Sequence, residues 1–65
     1  MTFEELLEST DPLVSVPDAG EAVFKVGPSA AYAMAARGEL PILRVGERRV
    51  FVIRAKLLES LGYEP

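Results

Sequence analysis

Tyr32-Ala33-Met34-Ala35-Ala36-Arg37-Gly38-Glu39-Leu40-Pro41, followed by Arg44-Val45-Gly46-Glu47-Arg48-Arg49, is the stretch on which the fold of this 65-residue chain turns. The first part has the composition of a helix, rich in alanine and free of β-branched residues. Gly38 stops it, because glycine takes the left-handed conformation that closes a helix without steric cost. Pro41 marks a turn. The β-branched and aromatic run Val50-Phe51-Val52-Ile53 then mirrors Ile42-Leu43-Arg44-Val45, and Gly46-Glu47-Arg48-Arg49 lies between them. This predicts a β-hairpin whose tip carries two adjacent arginines.

Working toward the N-terminus, Pro28 falls where its missing amide costs least, at the first position of a helix, after a turn at Val26-Gly27. The predicted helix over residues 28–37 turns Ala31, Met34 and Ala35 inward. Ser29, Ala33, Ala36 and Arg37 lie on its other face, with Tyr32 at the border. Ser15-Val16-Pro17-Asp18 predicts an earlier helix start, with Ser15 as cap and Pro17 in the first turn. Its apolar stripe is Val16, Ala19, Gly20, Val23 and Phe24. Gly20 inside that helix costs about 1 kcal/mol relative to alanine, an expense explained if another helix approaches the bare backbone. Thr2-Phe3-Glu4-Glu5 is a capping box that opens a short helix ending near Ser9, with Phe3, Leu6 and Leu7 on one face. At under three turns it is marginal alone and must dock on something. A last helix over residues 54–61 presents Leu57, Leu58 and Leu61 and stops at Gly62, with Arg54 and Lys56 expected to solvate it.

The expected fold is therefore α+β: a small winged helix-turn-helix, α-(α-turn-α)-β-β-α, with an extra N-terminal helix. Residues 1–12 are read as an acidic helix and linker, and residues 13–65 as the domain proper. A domain this small buries only about 60% of the surface that its unfolded chain exposes, so its core is thin. Hydrophobic residues make up 49% and charged residues 26% of the chain, as in folded soluble domains. Without cysteine or histidine there is no disulfide framework, no thiol nucleophile and no imidazole base. No enzyme activity, metal or cofactor is expected. No apolar run reaches the roughly 20 residues of a membrane helix, and Glu4, Glu5 and Glu8 exclude the basic start of a signal peptide. A cytoplasmic protein with no membrane partner is the expectation.

The net charge of −3 averages two unlike parts. Residues 1–21 hold six acids and no base, whereas residues 22–65 hold all seven bases against four acids. Asymmetry of this kind speaks to partners more than the total does. Over residues 14–62 the chain resembles the excisionase-type branch of the MerR-like winged helix-turn-helix proteins. The resemblance is carried by Ser15-Val16-Pro17-Asp18-Ala19-Gly20, Ser29-Ala30-Ala31-Tyr32, Arg37-Gly38-Glu39-Leu40-Pro41, Arg44-Val45-Gly46 and residues 52–61.

That resemblance implies double-stranded DNA as partner. It also implies a role as a recombination directionality factor, which binds adjacent sites cooperatively, bends the duplex and steers a site-specific recombinase. On DNA, Arg44, Arg48 and Arg49 are the expected contacts of the wing with backbone or minor groove. Ser29 is placed to donate to a phosphate, Tyr32 to meet a phosphate or pack under the wing, and Arg37 to reach either phosphate or a guanine edge. Ala30 and Ala33 can touch thymine methyls only. Lys25, in the turn, is either a phosphate contact or a solvated lysine. The acidic front and basic back suggest head-to-tail self-association along DNA, an effect confined by screening to about 8–10 Å. Two other readings stand beside this one: a small transcriptional regulator of the same fold, and a protein-interaction module contacting a repressor or recombinase.

Overall fold

The computed structural model describes residues 1–63. In chain order it contains α1 (Phe3–Glu8), β1 (Leu13–Ser15), α2 (Val16–Phe24), α3 (Pro28–Ala36), β2 (Ile42–Val45), β3 (Arg49–Ile53) and α4 (Arg54–Ser60). The three strands form one antiparallel sheet in the order β1-β3-β2, so β3 is central. The described residues thus form a small α+β fold of four helices and a three-stranded sheet. No described helix is long and apolar enough to cross a membrane.

Local chemistry explains the element boundaries. The Thr2 hydroxyl accepts from the Glu5 amide at 3.1 Å, and the Glu5 carboxylate accepts from the Thr2 amide at 2.8 Å, completing the capping box. The Thr2 N–H holds the Glu5 carboxyl below its ordinary pKa. Its contribution to α1 is therefore full above the ordinary glutamate range and is lost as pH falls through the lowered value. Ser15 caps α2 through the Asp18 amide. Gly27 begins α3 without a side-chain cap, and Pro28 occupies its first turn. Gly38 adopts φ 78°, in the left-handed region, and the chain turns there toward the sheet.

The core is built from Leu6, Val14, Val16, Ala19, Ala31, Val52 and Leu57, joined by Leu40 and Leu58. Its thinness makes small residues decisive where α2 meets α3. A Cβ placed on Gly20 would lie 2.5 Å from the Ala31 Cβ, closer than real side chains approach. The bare backbone at Gly20 is what lets the two helices touch, and this offsets its unfavourable helix propensity. The inward face of α3 follows the periodicity: Ala31 and Ala35 are buried and Met34 is partly so.

Several expectations are corrected. On α2 the buried positions include Ala22, and Val23 packs against the core, whereas Phe24, the last residue of the helix, is 42% exposed. Leu7 and Leu61 are also exposed, leaving Leu6 as the buried residue of α1. The three-residue strand β1 was not anticipated; Val14 faces the core opposite Val52. Arg54 does not solvate α4. Its Nε donates to the Leu6 carbonyl at 2.7 Å and its Nη2 to the Leu7 carbonyl at 2.6 Å, satisfying orphan carbonyls at the end of α1. Since Leu6 is fully buried in the common core, α1 packs on its own chain, and one core spans the boundary drawn at residue 12.

Two substitutions test this packing. Gly20→Ala gains about 1 kcal/mol of propensity but loses roughly 1–3 kcal/mol to overpacking. The expected melting temperature falls by several degrees, with partial recovery when Ala31→Gly is added; a raised melting temperature would contradict the close contact. Arg54→Ala should cost about 1.5–3 kcal/mol from two charge-assisted bonds. Amide exchange should then accelerate first in α1, and Arg54→Lys should rescue little because an ammonium lacks the planar fork.

Candidate nucleic-acid interface

One edge of α3 and the hairpin meet in one place. Tyr32, Ala35 and Ala36 of α3 and Ile42, Arg44 and Val50 of the hairpin line a single open cleft of about 190 Å³. Helical periodicity sets the rest of the outward face: with Ala31 and Ala35 toward the core, Ser29, Ala33, Ala36 and Arg37 must point away from it, and of these four Ala36 lines the cleft. Each of these four is exposed, as are Ala30 and Tyr32, the latter by 53%. The outer surface of α3 is therefore open along its length.

Strand register dictates the hairpin side. Ile42 pairs with Val52, Leu43 with Phe51, Arg44 with Val50, and Val45 with Arg49. Opposed residues share a face and successive residues alternate, so Arg44 and Val50 follow the buried Val52 onto the face toward α3. Leu43, Val45, Phe51 and Arg49 lie on the other face. The three hairpin arginines thus separate: Arg44 lines the cleft, Arg48 sits in the tip, and Arg49 points away. Arg49 was expected in the tip, but it is the first residue of β3, because the connecting turn takes only Gly46, Glu47 and Arg48. All three are exposed.

Lys25 belongs elsewhere. It closes α2 as the one described non-glycine residue at positive φ, 56°. It borders a wider depression of about 580 Å³ together with Met1, Phe3, Glu4 and Glu21, none of which lines the cleft between α3 and the hairpin. Here the Met1 amine donates to the Glu21 carboxylate and lies 3.9 Å from Asp18. The acidic residues gathered at this depression accompany Lys25 rather than Arg44.

Sequence reasoning missed one contact beside the outward face of α3. The Glu39 carboxylate accepts from Nε of Arg37, both side chains being largely exposed. The spacing Arg37-Gly38-Glu39 held the signal, since a left-handed glycine folds the following residue back over the helix end. Compared with protein-family models, with curated proteins and with solved structures, the chain finds no match.

Proposed function

We propose that this protein is a winged helix-turn-helix DNA-binding protein in which α2 and α3 form the helix-turn-helix and β2 and β3 form the wing. The observation that carries the reading is the shared cleft, where Tyr32 and Ala36, at one edge of the exposed face of α3, stand beside Arg44 of the hairpin. The major groove, about 12 Å wide, admits one helix, and a helix with full side chains is about 10–12 Å across. The alanines at 30, 33 and 36 make α3 slim enough to lie deep. Its first turn has no side-chain cap, so backbone amides near Ser29 remain to meet a phosphate. Tyr32 and Arg44 border the groove wall, and Arg48 at the tip reaches the neighbouring backbone or minor groove.

The net charge of −3 is unevenly placed: Glu4 and Glu21 line the depression beside Lys25, whereas Arg44 lines the cleft and Arg48 shares the hairpin turn with Glu47. With few polar side chains on α3, specificity comes largely from DNA shape and from several protomers on adjacent sites. In the excisionase-like role these protomers bind cooperatively, bend the duplex and steer a site-specific recombinase. Acidic surfaces near α1 meet basic surfaces of the next protomer head to tail. The same surface serves a transcriptional regulator equally well. A second reading, contact with a repressor or recombinase, is favoured by Leu43 and Val45, which are 44% and 43% exposed on the face of the hairpin away from α3.

A salt titration of duplex binding separates these readings. Affinity should fall steeply from low to moderate salt, and Arg44→Ala and Arg48→Ala should each flatten the logarithmic slope by about one. Weak binding at every salt concentration would favour the protein-interaction module.

A further inference from the structure

Glu39 has no part in the duplex contacts described so far, yet its position is closely determined. Gly38 at φ 78° turns the chain, and its amide donates to the Ala35 carbonyl at 3.1 Å. The Glu39 amide donates to the Met34 carbonyl at 2.9 Å, and the next residue, Leu40, is 3% exposed and anchored in the core. The backbone of Glu39 is held from both sides. Its carboxylate then engages Arg37 through Nε, the guanidinium nitrogen nearest the main chain.

Engagement at Nε has a specific consequence. A guanidinium carries five N–H donors in one plane, and the terminal Nη1 and Nη2 groups of Arg37 make no protein hydrogen bond among the described residues. The carboxylate restricts the rotation of the plane while leaving its outer edge open. Arg37 lies on the same outward face of α3 as Ser29, Ala33 and Ala36, and its side chain is 64% exposed.

We propose that Glu39 is a positioning residue that orients Arg37 to read a guanine in the major groove; the proposal rests on the duplex-binding reading above. Two chemistries offer paired acceptors to such an edge: the O6 and N7 of guanine, and the oxygens of a phosphate. A carboxylate beside Arg37 weakens its long-range attraction for phosphates, which repeat along the backbone and ask for charge rather than orientation. Guanine presents its two acceptors at one fixed place and demands an oriented plane. The pair therefore lowers affinity for DNA of arbitrary sequence and raises discrimination at one base pair. An exposed ion pair contributes little to stability, so its removal leaves the fold intact.

The test uses the full chain and a pool of random-sequence duplexes. Wild-type selection should enrich guanine at a defined position, and 7-deazaguanine there should weaken binding roughly tenfold by deleting the N7 acceptor. Glu39→Gln, with an unchanged melting temperature, should bind scrambled duplexes several-fold more tightly. Its ratio of selected to scrambled affinity should fall roughly tenfold, and Arg37→Lys should lose the same ratio. The proposal is overturned if Glu39→Gln enriches that guanine as strongly as the wild type, or if 7-deazaguanine has no effect. Parallel affinity changes across all sequences would make Arg37 a phosphate contact and also overturn it. Wild-type binding without any guanine preference defeats this proposal alone, whereas no duplex binding at any salt defeats the DNA reading and this proposal together.

Discussion

The close approach of Gly20 to Ala31 governs the rest of the molecule. In so small a core, two helices can share their interior only where side chains nearly vanish. That contact presses Ala31 and Ala35 inward, and helical periodicity then leaves Ser29, Ala33, Ala36 and Arg37 no place except the surface. The exposed face of α3 is thus a consequence of core packing. The sheet completes the arrangement from the other side: Val52 is fully buried, and its register with Ile42 carries Arg44 toward α3. One steric contact and one strand register therefore bring Arg44 and the helix into the same cleft.

Arg54 performs a similar task at the opposite end. A six-residue helix has little stability of its own, and α1 is retained by Leu6 in the core and by the guanidinium on its terminal carbonyls. The first residue of α4 thus satisfies the last residues of α1. This tie makes the N-terminal segment a structural part of the domain and fixes Glu4 beside the depression that Lys25 borders. Glu4 and Glu21 gather at that depression, whereas Arg44 lines the cleft between α3 and the hairpin, an arrangement that a bulk charge of −3 conceals.

Much of this was legible in the sequence, for identifiable reasons. The Thr2 capping box, Pro28 at the start of α3, Gly38 after it and the paired strands are local signals, and local hydrogen bonding produces them. Gly20 was legible as a helix-approach site because its cost demanded a compensation. The rest depended on contacts distant in sequence. Leu13-Val14-Ser15 is too short to show alternation, and becomes a strand only because β3 lies beside it. The role of Arg54 arises from a partner 48 positions away. At Arg49, composition could not distinguish a tip residue from the first strand residue, and the turn length decided it. Phe24 was assigned to the core by periodicity, although the helix ends there and Ala22 is buried instead.

In the proposed reading, α3 and the hairpin act together as one surface toward a duplex. Amide chemical-shift mapping with a short duplex addresses it residue by residue. Perturbations are expected to concentrate in residues 28–37, at Arg44 and at the turn holding Arg48, while α1 and the Leu43–Phe51 face stay quiet. Perturbations confined to α1 or to that outer sheet face, with α3 unmoved, would contradict it.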